Sequence, residues 1–184
     1  MAEVELRETE EIRSNAIAAL RDWAMKNSRI NKLRLDSIFL LRFLRHKKFS
    51  IPMAQDSIEK YLLLRKYSQS DLYPFQKMDI NLPSMQKLLD EGYIFALPKR
   101  DALGRRVIFY RAGVFKPSIY FNYELLKLHG IVYETLLENE ENQIRGCVHI
   151  VDSTGFGFNY LTLFTPQEAV RIARNAEVHY QDSL

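Results

Sequence analysis

Apolar side chains recur at three- and four-residue steps through the first third of the chain, then give way to short continuous apolar runs. Between Glu10 and Lys26, the positions Ile12, Ala16, Ala19, Leu20 and Trp23 make one stripe, the spacing of an amphipathic helix. Asp36 stands where it caps a second helix carrying Ile38, Phe39, Leu41, Phe43 and Leu44. Ser50 stands similarly before a third, with Pro52 in its first turn and Ala54, Ile58, Tyr61, Leu62 and Leu64 behind it. Three such helices predict a small bundle. Asp71-Leu72-Tyr73-Pro74-Phe75 interrupts the pattern, because proline disfavours helix in the residue before it. The expected organisation is a helical N-terminal domain over 1–74 and an α/β domain over 75–184.

The second part reads as strand, strand, helix, strand, helix. Tyr93–Leu97 and Arg106–Arg111 are apolar runs separated by Pro98–Arg105, whose turn residues suit a long hairpin loop. Tyr123–Leu137 has helical periodicity through Leu125, Leu126, Leu128, Ile131, Val132, Leu136 and Leu137. Gly146–Val151 is apolar on both faces except at His149, so it is expected at the centre of the sheet. Pro166 starts a final helix carrying Ala169, Val170, Ile172, Ala173 and Ala176. This order predicts a mixed sheet with a right-handed crossover between its second and third strands.

Composition narrows the classes. With 184 residues and 47% hydrophobic side chains, the chain can bury a sizeable core. Its 26 Lys+Arg against 23 Asp+Glu argue against nucleic-acid binding over the whole surface. The charge is unevenly spread: nine bases and two acids lie within 21–48, and four acids with no base within 134–141. A single cysteine, Cys147, leaves no internal disulfide and suits a reducing compartment. The acidic N-terminus has no apolar stretch of a secretory signal, and no run is long enough to span a bilayer. A cytoplasmic protein with at most transient peripheral membrane contact is expected.

Catalytic readings fail residue by residue. Gly155-Phe156-Gly157 follows a strand but lacks a third glycine and a lysine, so it is not a phosphate loop. Cys147 has no activating base and no arginine shortly downstream. Histidines 46, 129, 149 and 179 are too scattered in sequence to suggest a metal site. Asp152 and Ser153 read as a strand-end turn. No catalytic residue, metal or cofactor is assigned.

Three blocks in order carry a family resemblance. They are Phe39–Phe49 with the Ala54–Arg65 helix, then Arg100-Asp101 with Gly104-Arg105-Arg106-Val107, then Gly146 with Cys147–Val151 and Asp152. Over roughly residues 10–180 the chain resembles the CRAL-TRIO lipid-binding family, most closely its branch of α-tocopherol transfer protein, cellular retinaldehyde-binding protein and the clavesins. The resemblance implies an α/β fold, with a small N-terminal helical bundle followed by a mixed-sheet lipid-binding lobe. That lobe would be truncated, since the family pattern continues beyond Leu184 with further strands and a lid helix. It implies a carrier that catalyses no reaction and encloses a tocopherol, retinoid or other lipid, so that the ligand's apolar area stays out of water.

Residue by residue, the resemblance puts Cys147, His149, Val151 and Tyr110 on the cavity side of the sheet, with Leu126, Tyr133, Phe158, Phe164 and Ile172 on flanking elements. Each also fits an ordinary core, and His149 reads equally as a histidine satisfied within the interior. Lys47 matches a position that holds a phosphoinositide headgroup; Arg45, Lys48 and Arg171 are grouped with it as a membrane-facing basic site. A solvated helix face explains the same residues. Of Arg42 and Arg45, at least one is expected to make a structural ion pair or cap contact between lobes. The expected partners are a hydrophobic small molecule and an anionic membrane surface, with no nucleic acid. The alternative is a membrane-adaptor module that binds anionic phosphoinositides without enclosing a ligand.

Overall fold

The computed structural model describes residues 6–30, 33–67, 80–160 and 165–166. The chain forms two compact units, Met1–Leu64 with Thr135–Ile144, and Arg65–Glu134 with Arg145–Leu184. The boundary expected at 71–75 and the final helix beyond Pro166 lie outside the described residues.

In the first unit, helix α1 (Glu10–Lys26) starts where Thr9 accepts a hydrogen bond from the Ile12 amide. Its buried side is Ala16, Ile17, Leu20 and Ala24, rotated from the predicted stripe, since Ile12 and Ala19 are exposed. Helix α2 (Ser37–His46) is capped by Asp36, which accepts from the Phe39 amide at 3.0 Å. All seven residues from Phe39 to Arg45 are buried. Helix α3 (Ile51–Tyr67) adds Ala54, Ile58 and Tyr61 to the same core. Phe39, Phe43 and Tyr61 pack edge to face, and the Arg42 guanidinium lies 4.0 Å from the centre of the Phe39 ring, a cation–π contact.

In the second unit, helix α4 (Pro83–Asp90) begins with proline in its first turn and buries Met85 and Leu88. Strands β1 (Ile94–Ala96), β2 (Arg106–Arg111) and β3 (Cys147–Asp152) form one sheet in that order. β1 runs antiparallel to β2, and β3 runs parallel to it. The sheet is mixed as expected, and among the described residues its central strand is β2. Among the described residues β3 is an edge strand, with Ile150 43% and Val151 61% exposed. An apolar run reports side-chain type and not the number of neighbouring strands. Helix α5 (Asn122–Leu136) and the short α6 (Glu140–Arg145) lie between β2 and β3 in sequence. No described helix is long and apolar enough to cross a membrane.

Candidate functional site

Strand register decides which side chains share a face. Tyr110 is opposite Ile94 on one side and Val151 on the other, and Ile108 is opposite His149. Ile94, Ile108 and Tyr110 are buried there. Helix α5 brings Tyr133 and His129 to this face; four residues apart, they project on the same side of a helix.

The result is a connected group of rings. The hydroxyls of Tyr110 and Tyr133 are hydrogen-bonded to each other. The Tyr133 hydroxyl is 2.9 Å from Nδ1 of His149, and that nitrogen is 3.2 Å from the Tyr110 hydroxyl. Tyr110 stacks on His149 with centroids 5.7 Å apart and tilts against His129 at 5.2 Å. His129 stacks on Tyr93, and its Nε2 is 2.9 Å from the Tyr93 hydroxyl. Three tyrosines and two histidines thus cover one side of the sheet with hydroxyl and imidazole groups that satisfy one another.

Desolvation disfavours the charged form of Tyr93, Tyr110, His129 and His149, although His149 lies on the exposed stretch of β3. Desolvation lowers His129 to about 4, assisted by His149, and also lowers His149. It pushes Tyr110 up to about 12 and raises Tyr93 as well. Near neutral pH the cluster carries no formal charge, which suits hydrogen bonding to a neutral polar group and disfavours an unpaired ion.

Of the residues expected at a cavity, the structure brings together Tyr110, Tyr133 and His149. Leu126 and Cys147 are half-buried. The Cys147 thiol is held in its protonated form by burial, against the opposing influence of Arg100 and Arg106. Val151 is exposed and Phe158 is 89% exposed. Phe164 and Ile172 lie outside the described residues, as does Arg171. Sequence reasoning missed Tyr93 and His129. The spacing of His129 to Tyr133 carried the available signal, but His129 was weighed only as a metal ligand. Among the described residues there is no group of three or more His, Cys, Asp or Glu side chains suited to a metal ion.

The basic group divides. The Arg45 side chain is 1% exposed and donates to both oxygens of Glu8 at 2.7 and 2.8 Å, to Glu140 at 2.7 Å and to Gln143 at 2.8 Å. It is therefore removed from the membrane-facing set, because a buried and fully engaged guanidinium offers no surface to a headgroup. It makes the expected structural ion pair, with Glu8 and Glu140, all three within the first compact unit. Arg34 likewise pairs with Glu138 at 2.6 Å and Asp36 at 2.9 Å. The basic segment 21–48 and the acidic segment 134–141 thus neutralise part of each other's charge. Lys48 remains exposed and Lys47 half-exposed.

The CRAL/TRIO domain model matches residues 90–184, more than half of the chain, and the chain belongs to this family. It is similar to Clavesin-1 of Xenopus laevis, at 30% identity over 181 residues that cover 98% of this chain and 52% of that relative. Against Clavesin-1 of Mus musculus it is 30% identical over 165 residues, 90% of this chain and 46% of the relative. Clavesin-2 of Homo sapiens is 29% identical over 165 residues, 90% and 50% respectively. The chain spans about half the length of the curated relatives it matches.

Proposed function

We propose that this chain is part of a non-enzymatic carrier that binds one hydrophobic ligand and transfers it inside the cell. Family membership supports lipid binding in general. The observation that carries the finer reading is the uncharged group formed by Tyr110, Tyr133 and His149 on a largely apolar sheet face. A tocopherol, a retinoid or another lipid with a neutral hydroxyl or carbonyl end matches that chemistry. In this reading the helical segment 1–74 is an N-terminal domain, and 75–184 is part of the lipid-binding domain. Cys147, Val151, Leu126, Phe158, Phe164 and Ile172 are its further lining candidates.

His149→Phe tests the ligand end of the proposal. It removes the imidazole and keeps a ring, so the variant is expected to co-purify with a different lipid profile by mass spectrometry. An unchanged profile removes His149 from ligand selection.

Transient docking at cytoplasmic membranes is proposed to use Lys47 and Lys48, with Arg171 as a further candidate. Lys47→Ala with Lys48→Ala should weaken co-sedimentation with phosphoinositide-containing vesicles by roughly tenfold or more, at about 1 kcal/mol per cation near an anionic surface. Equal binding by parent and variant would leave these lysines as a solvated helix end.

A further inference from the structure

The loop joining β1 to β2 is a hydrogen-bonded, positively charged turn that the proposed lipid site does not use. Residues 98–106 hold four cations, Lys99, Arg100, Arg105 and Arg106, against the single carboxylate of Asp101. Asp101 organises the tip. Its carboxylate accepts from the Leu103 amide at 3.0 Å and from the Arg105 amide at 2.7 Å, and it pairs with the Arg105 side chain at 2.6 Å. Its carbonyl accepts from the Gly104 amide at 2.9 Å, closing a turn in which Gly104 has a φ of 79°.

Two arginines brace the turn from outside. Arg100 donates to the Gly104 carbonyl at 3.0 Å, and Arg145, at the end of α6, donates to the Leu103 carbonyl at 2.6 Å. The Arg145 side chain lies so close to Gly104 that an added Cβ would meet it at 2.8 Å.

Asp101 and Gly104 take the favoured outer positions of this turn, and Leu103, at an inner position, is 63% exposed. A single exposed leucine means little by itself. Here it stands on a hydrogen-bonded turn flanked in sequence by exposed Lys99 and by Arg100, Arg105 and Arg106, with Arg105 paired to Asp101. An exposed apolar residue on a turn with excess positive charge is the composition of a surface that meets anionic lipid, with the leucine entering the interface and the bases facing headgroups. We propose that the β1–β2 hairpin tip docks on anionic phospholipid bilayers through Leu103, Lys99 and the surrounding arginines. The contact is separate in sequence from Lys47 and Lys48 and requires no phosphoinositide.

Vesicle partitioning tests this directly, using phosphatidylcholine vesicles with and without phosphatidylserine. The parent protein should partition onto the phosphatidylserine vesicles and much less onto phosphatidylcholine alone. Lys99→Ala with Leu103→Ser should lower that partitioning at least about tenfold, with an unchanged thermal midpoint because both side chains are exposed. Leu103→Trp should add blue-shifted fluorescence over the parent on phosphatidylserine vesicles. Three results would overturn the proposal: equal partitioning of parent and double variant, indifference to phosphatidylserine, or no blue shift from Leu103→Trp. A loss seen only with Lys47→Ala and Lys48→Ala would overturn it as well, while leaving the lysine site standing.

Discussion

His129 lies between Tyr93 and Tyr110, stacked on one and tilted against the other, in surroundings that penalise an imidazolium. Its folded value of about 4 lies below the ordinary 6.5, so as pH falls the unfolded chain takes up this proton first. The stabilisation is complete above about 6.5 and is lost progressively as pH falls towards 4. His149 is shifted in the same direction. Asp36 and Glu140, both lowered by hydrogen bonds and charges from arginines or backbone amides, lose their contribution only at lower pH, as they protonate. Urea unfolding should therefore show a loss of about 2 kcal/mol between about pH 7 and about pH 5, before the carboxylates titrate. His129→Gln should flatten that slope. An unchanged slope in the variant would mean that the ring is open to water.

Elements with several turns of periodicity were legible in the sequence, because α1, α2 and α3 repeat their apolar spacing and α2 follows its capping residue Asp36. Helices α4 and α6 were not, since eight and six residues are too few for a periodic signal to separate from chance. Strand β3, expected at the centre, is an edge strand among the described residues, for an apolar run is compatible with either place. Glycine placement supplies a test at this scale. A Cβ on Gly113, in the turn after β2, would meet the Thr154 carbonyl oxygen at 2.2 Å, in the turn after β3. Both partners are backbone, so neither can rotate away. Gly113→Ala should cost about 2 kcal/mol or more in chemical denaturation. A cost under about 0.5 kcal/mol would show that these strand ends do not approach closely.

At the scale of the whole chain, the charge pattern signalled segregation but not its outcome. The basic stretch at 21–48 and the acids at 134–141 read as separate surface features. Arg34 and Arg45 instead meet Glu138 and Glu140 inside one compact unit. Pairing across about a hundred residues leaves no local mark, which is why Arg45 was grouped with headgroup-binding bases. The candidate site was half legible for a related reason. Strand alternation and family resemblance pointed to Tyr110, Tyr133 and His149, whereas Tyr93 and His129 join them only once helix and sheet are packed. The proposed lipid carriage rests on this polar but uncharged group.

Native mass spectrometry of protein purified without added lipid tests this central claim most directly. The account predicts one lipid-sized molecule per chain, released on denaturation and reduced in amount or changed in identity in His149→Phe. A folded, monodisperse preparation carrying no bound molecule would contradict it and favour a module that binds anionic membranes without enclosing a ligand.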